Sequence, residues 1–430
     1  MNLYRQLLIF LVGLSFANTV FAELVIRVTE GNDQPTIVAI SPFELNGMRL
    51  SEDIGAIVEA DLQRSGLFQV TPRQDILAFP AKPTDVYFRD WRLLGAEYLV
   101  VGSMRTMPDG RYELEFSLLS IMSQRIQFTH KVRAPADQIR DLAHSVSDKI
   151  YESITGIRGA FSTRLAYVSA IREGGAQVYR LYVADADGAR ERLMLESTQP
   201  IMSPAWSPDG KELAYVSFET GRPAIWRQNL TTAKRQQLTN FKGLNGAPSW
   251  SPDGTKLALV LSKDGNPEIY SMDLATGALT RLTRHFAIDT EPTWMPDGKH
   301  ILFTSDRGGT PQIYKLSIVD KSIQRLTFQG NYNARPNLAP DGRTLALVHR
   351  AENKFHIAAL DLKTRRLLAL TETTLDESPS VAPNGAMLMY ATKSGARGIL
   401  AAVSIDAGVK YMLPAKRGDV REPAWSPFLR

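Results

Sequence analysis

The sequence predicts an α+β N-terminal domain, an α/β sandwich, followed by an all-β six-bladed β-propeller. A seven-residue phrase recurs at intervals of 43 or 44 residues from Pro204 to the C-terminus. Strand and helix patterns alternate ahead of its first copy. An apolar N-terminal run precedes both and reads as an export signal.

In that run Arg5 precedes apolar residues 7–16, and Val20-Phe21-Ala22 presents small residues where a signal peptidase cuts. Residues 1–22 are therefore read as a signal peptide and the mature chain as starting at Glu23. The run is too short for the roughly 30 Å hydrocarbon core of a membrane. Residues 23–32 form an N-terminal arm. The stretch 23–30 has strand propensity and precedes Gly31-Asn32-Asp33. Two readings stay open: an edge strand of the following domain, or an arm that leaves it to add a strand to a partner's sheet.

Residues 33–158 are expected to form the front domain. Residues 37–40 read as a strand, and 51–64 as a helix with Ile54, Ile57, Val58 and Leu62 on one stripe and Gly66 as its stop. A strand at 67–70, a short helix at 90–94 and strands at 98–102, 112–119 and 126–130 follow. The last helix, 135–154, lines up Ile139, Leu142, Ala143, Val146, Ile150 and Ile154. Residues 160–163 form a short hinge, which favours one compact arrangement.

The propeller occupies residues 159–430. Pro204-Ala-Trp-Ser-Pro-Asp-Gly recurs closely at Pro248 and Pro292 and as weaker copies at Pro336, Pro379 and Pro423, with Leu338 and Val381 for Trp, Asn for Asp at 384 and no Asp-Gly in the last copy. Pro second and Gly fourth in Ser207-Pro-Asp-Gly210 suit a type I turn. A second strand follows each turn, at 213–217, 257–261, 301–305, 345–349 and 388–392. One more, 165–169, has no phrase before it. The terminal phrase at Pro423 supplies its missing partner, so the two ends of the chain close one blade and the ring has no free edge. The recurring Trp, Tyr and Leu residues are expected between blades as core.

The sequence has 50 basic and 45 acidic residues, a net charge of +5. Residues 1–22 carry only Arg5, so +4 remains in the mature chain, scattered rather than massed, and no nucleic-acid partner is expected. With no cysteine, disulfides, thiolate nucleophiles and cysteine-ligated zinc are excluded. Nucleophile-elbow, P-loop, Gly-x-Gly-x-x-Gly and His-Glu-x-x-His motifs are absent. The histidines, His130, His144, His285, His300, His349 and His356, are dispersed. Asp289, Glu291, Asp376, Glu377 and Glu422 stand just before Pro of the phrase, in loops expected at one end of the ring. There they could pair as acid and base in an enzyme or small-ligand binder, or hold a hard cation such as calcium in the channel. No other cofactor or metal is expected.

The signal, the front domain, six Pro-x-Trp-Ser-Pro-Asp-Gly phrases, Leu375-Asp-Glu-Ser-Pro379 and the closing Pro-Ala-Trp-Ser-Pro together resemble the TolB family of periplasmic propellers of Gram-negative Tol–Pal systems. The resemblance implies a periplasmic, non-enzymatic adaptor that supports outer-membrane integrity and envelope constriction in cell division. It implies binding of the lipoprotein Pal at the channel mouth by Leu244, Asn245, Gly246, Ala247, Thr290 and Glu291. The pre-Pro segments, which vary while the blade core repeats, add Asp376, Glu377, Arg421 and Glu422 to that surface. The resemblance also implies binding of TolA through Glu23, Leu24, Val25, Ile26, Arg27 and Val28 of the arm, and capture of the mouth by colicins in some species. Leu244 departs from the family pattern, which commonly has His there, and so lacks one polar contact. A monomer that meets membranes only through its partners is expected.

Overall fold

A computed structural model describes residues 27–30, 34–406, 408–413 and 418–429. The signal peptide and Glu23, Leu24, Val25 and Ile26 of the arm lie outside the described residues.

The front domain is a five-stranded mixed sheet. Its elements are β1 (Arg27–Glu30), which belongs elsewhere, then β2 (Thr36–Ile40), α1 (Ile54–Arg64), β3 (Phe68–Val70), α2 (Phe88–Leu93), β4 (Tyr98–Thr106), β5 (Tyr112–Ser120), β6 (Arg125–Ala134) and α3 (Ile139–Thr155). The sheet order is β3-β2-β4-β5-β6. β2 runs parallel to both neighbours, whereas β4, β5 and β6 are antiparallel. α1 and α3 cover one face through Val58, Leu62, Leu142 and Val146, packed on Val38, Val100 and Phe116. α2 covers the other through Trp91, against Leu99 and Val101.

α1 begins with its apolar stripe at Ile54, three residues after the expected start at 51, because Asp53 is the N-cap and accepts the Ala56 N–H at 3.1 Å. α3 likewise starts late, after a turn in which Gln138 N–H reaches the Pro135 carbonyl at 3.0 Å, and it ends on Gly156 in the left-handed region at φ 75°. β4 and β6 run several residues beyond the expected strands, since each keeps a partner along its full length.

The remaining chain forms six blades. Each has four antiparallel strands, with the Pro-x-Trp strand innermost. Blade 1 takes its inner strand, Asp419–Trp425, from the C-terminus and pairs it with Arg164–Glu173. Blades 2 to 6 begin at Ile201, Asn245, Asp289, Asn333 and Glu377. The second strands are continuous apolar runs, with every residue of Leu257–Leu261 buried, because each blade is packed on both faces. Between blades 2 and 3, Val216 and Ile225 meet Leu257, Leu259 and Tyr270.

Tryptophans of the phrase stitch the inner strands together. Trp206 Nε1 donates to the Ala424 carbonyl of blade 1 at 2.9 Å, and Trp250 Nε1 to the Ala205 carbonyl of blade 2 at 3.1 Å. The Ser-Pro-Asp-Gly turns close as expected: Gly210 N–H reaches the Ser207 carbonyl at 2.9 Å.

β1 corrects the first reading of the arm. It is no edge strand of the front domain, and no described part of it projects freely. It adds a fifth, outermost strand to blade 6, antiparallel to Lys410–Leu413, with Arg27 opposite Met412 and Val28 opposite Tyr411. The outer strands of blades 2 to 5 are only three residues long. That of blade 6 has four residues and that of blade 1 has six, and among the described residues only the former is covered by a further strand.

Candidate channel mouth

The front domain sits at the end of the ring that carries the Ser-Pro-Asp-Gly turns. There Asn384 Nδ2 donates to the Arg158 carbonyl at 3.0 Å, and the Arg158 guanidinium lies 3.8 Å from the centre of the Phe428 ring. The hinge is held rather than loose: Asp148 accepts the N–H groups of Phe161 and Ser162 at 2.7 and 3.2 Å. The opposite end, where the inner strands begin, is left open.

Every inner strand breaks its register in the residue pairs just before Pro. The residue immediately before Pro takes a positive φ in all six blades: Ser203 at 51°, Ala247 at 47°, Glu291 at 54°, Arg335 at 53°, Ser378 at 55° and Glu422 at 55°. A non-glycine residue is strained there by about 1 kcal/mol or more. Six repeats of that strain have one geometric result. The bulge turns each of these side chains into the channel, a cavity of about 380 Å³.

These six positions form a throat around Arg335. Its guanidinium pairs with Glu291 of blade 4 and Glu422 of blade 1, both at 3.1 Å, and donates to Ser378 of blade 6. Glu291 also accepts from Thr304 Oγ1 at 2.8 Å and from the Arg335 N–H at 2.9 Å. Burial works against the Arg335 charge, but Glu422 and Glu291 outweigh it and raise its pKa further. One arginine thus ties four blades across the axis.

The expected convergence of five carboxylates is corrected here. They lie on inner strands or are folded inward, and only Glu291 and Glu422 meet, on an arginine rather than on each other. Asp289 is fully buried and paired with Arg307 at 2.7 Å. Asp376 is buried, accepting from Thr373 at 2.5 Å, Thr392 at 2.6 Å and Thr371. Glu377 points into a separate recess of about 310 Å³ between blades 6 and 1, shared with Arg421, Lys393 and Leu375.

The other residues singled out by the sequence divide in the same way. Leu244 is exposed at the rim, and Ala247 lines the throat. Thr290 is half-buried. Asn245 and Gly246 are buried; Asn245 holds its own loop by donating to the Phe241 carbonyl at 2.8 Å and accepting the Phe241 N–H at 3.1 Å.

Sequence reasoning assigned no role to Arg335 and named no residue of the apolar rim beyond Leu244 and Leu375. The loops leading into the inner strands expose Phe286 (87%), Phe328 (69%), Ile288 (47%), Leu375 (42%) and Leu244 (40%). Arg335 could have been found as the one base at a position filled by acids in blades 1 and 4. Leu244, Ile288 and Leu375 share one repeat position, four residues before Pro, whereas Phe286 and Phe328 do not; the exposure of all five is visible only in the fold.

Among the described residues, Asp61, His144 and Asp187 bring three ligand atoms within 4.8 Å of one another. They lie at the closed end of the ring, and Arg64 and Arg140 already engage the two carboxylates. That charge balance suits an ion-pair network rather than a metal centre.

Comparison with known proteins gives the following. Residues 24–127 match the family model described as the TolB amino-terminal domain, and residues 151–429 that of the TolB beta propeller domain. The Tol-Pal system protein TolB of Marinomonas sp. (strain MWYL1) is 60% identical over 419 residues, 97% of either chain. That of Alcanivorax borkumensis is 53% identical over 429 residues, 100% of this chain and 98% of its own. The crystal structure of TolB from Acinetobacter baumannii superposes with a TM-score of 0.88 at 44% identity, covering 94% of this chain and 100% of that one.

Proposed function

The chain belongs to the TolB family of Tol-Pal system proteins, and from that premise we propose that it is a non-enzymatic periplasmic adaptor that docks Pal on the open mouth of the propeller. The observation that carries this reading is the pairing of an exposed apolar rim with a polar throat. Phe286, Phe328, Ile288, Leu375 and Leu244 surround the entrance, and Arg335 with Glu291 and Glu422 forms its floor. An exposed apolar patch is a mark of a protein-docking surface. The throat carboxylates answer the charge of Arg335, which supports a binding role over acid–base catalysis.

TolA is taken up by the arm. β1 pairs with one neighbour only and through few residues, so a partner strand can compete for it at small cost. Through these two contacts the protein supports outer-membrane integrity and constriction of the envelope during division.

The test uses two variants of the mature chain. Glu291→Lys places a second cation beside Arg335 and should weaken Pal binding at least tenfold in a folded ring; deletion of residues 23–30 should abolish TolA binding. Unchanged affinity in either folded variant overturns the corresponding assignment.

A further inference from the structure

The surfaces of α1 and α3 that face away from the front-domain sheet carry charge into the interface with blade 1. Direct contacts link five carboxylates, Glu52, Asp61, Asp141, Asp185 and Asp187, with three guanidinium groups, Arg64, Arg140 and Arg190. His144 on α3 stands at their centre, 2% exposed. Its Nδ1 donates to Asp61 Oδ2 at 2.7 Å, and the same oxygen accepts from Ser147 at 2.7 Å. Its Nε2 is buried without a hydrogen-bond partner and lies 3.9 Å from Asp185 and 4.0 Å from Asp187, both on blade 1.

A neutral imidazole would turn a lone pair toward two blade carboxylates. An imidazolium turns an N–H toward them and adds a fourth cation to a cluster in which acids outnumber arginines. We propose that His144 is a pH-sensitive clamp between the two domains: protonated, it locks the front domain onto blade 1, and its deprotonation loosens that docking. The inference is independent of what binds at the mouth or on the arm.

The groups facing His144 agree with this sense. They are Asp61 and Arg64 on α1, Arg140, Asp141 and Asp148 on α3, Asp185, Asp187 and Arg190 on blade 1, and Tyr411 on blade 6. Burial and the nearby Arg64 cation disfavour the imidazolium, but Asp61 and Asp187 outweigh them and raise the pKa above the ordinary 6.5. Burial would raise Asp61 and Asp187, yet His144 and the arginines hold both below 3.8. The part of this effect that comes from Arg64 and Arg140 persists when His144 loses its proton. Because the docked pKa is raised, the clamp is complete below pH 6.5 and is lost as pH rises through the docked value.

Amide exchange of segments 61–66 and 185–190 in the mature chain, corrected for intrinsic rates between pH 6 and 9, reads the opening directly, with NMR titration of the His144 ring alongside. In the wild type the open fraction should rise about tenfold for each pH unit between the undocked and docked pKa values. In His144→Gln it should stay flat. A flat wild-type profile, a His144→Gln profile that follows the wild type, or a ring that titrates at or below 6.5 overturns the proposal. The wild-type titration decides alone if the variant fails to fold.

Discussion

At the end of the ring where the inner strands begin, Phe286, Phe328, Ile288 and Leu375 stand in solvent around Arg335, Glu291 and Glu422. At the end where the Ser-Pro-Asp-Gly turns lie, Asp61, Arg64, His144 and Asp187 are buried between the front domain and blade 1. Apolar groups are outside at one end, and charges are inside at the other. Each inverts the usual partition of a soluble protein, for different reasons. Buried charges that satisfy one another fix two domains in register at the cost of desolvation. Exposed apolar groups on loops remain available to a partner.

If that contrast is right, mutations at the two ends should act on different observables. The largest effect is expected at the closed end. Asp61→Ala removes the carboxylate shared by Arg64, His144 and Ser147, leaves buried cations uncompensated and should cost roughly 3–5 kcal/mol, read by chemical denaturation. A loss below about 1 kcal/mol would show that the cluster is water-relaxed and the comparison wrong. Glu422→Gln, in the throat, takes one of two carboxylates from Arg335 but leaves it Glu291 and an open, hydrated cavity. A destabilisation of about 1 kcal/mol is expected by the same measurement. The smallest effect on stability belongs to the rim. Phe286→Ser should lie within about 0.5 kcal/mol of the wild type while weakening Pal binding about fivefold or more by calorimetry. Destabilisation without loss of binding would reverse the roles assigned to the two ends.

Much of the fold was legible because the blade repeats its chemistry. Pro after the bulge residue, Trp206 and Trp250 with carbonyls to reach and Gly in the turn each answer a local backbone need, so their spacing could be counted. The closure of blade 1 by Pro423-Ala-Trp425 followed from the same count and is the observed pairing of Trp425 with Leu165. The site was legible only in part. Ala247, Glu291 and Glu422 do line the throat, but a pattern along the chain does not tell Asn245 or Asp376, turned into their own loops, from neighbours turned outward. Glu291, Arg335 and Glu422 are 44 and 87 residues apart, and their pairing is a property of the closed ring. The arm was ambiguous for a related reason: strand propensity says that residues 27–30 want an edge, not which edge.

The central claim is that the open mouth docks Pal, and titration calorimetry of the chain from residue 23 onward with the periplasmic domain of Pal tests it most directly. Saturating heat at one-to-one stoichiometry, lost in the folded Glu291→Lys variant, is the predicted result. No heat from a correctly folded protein would contradict the account.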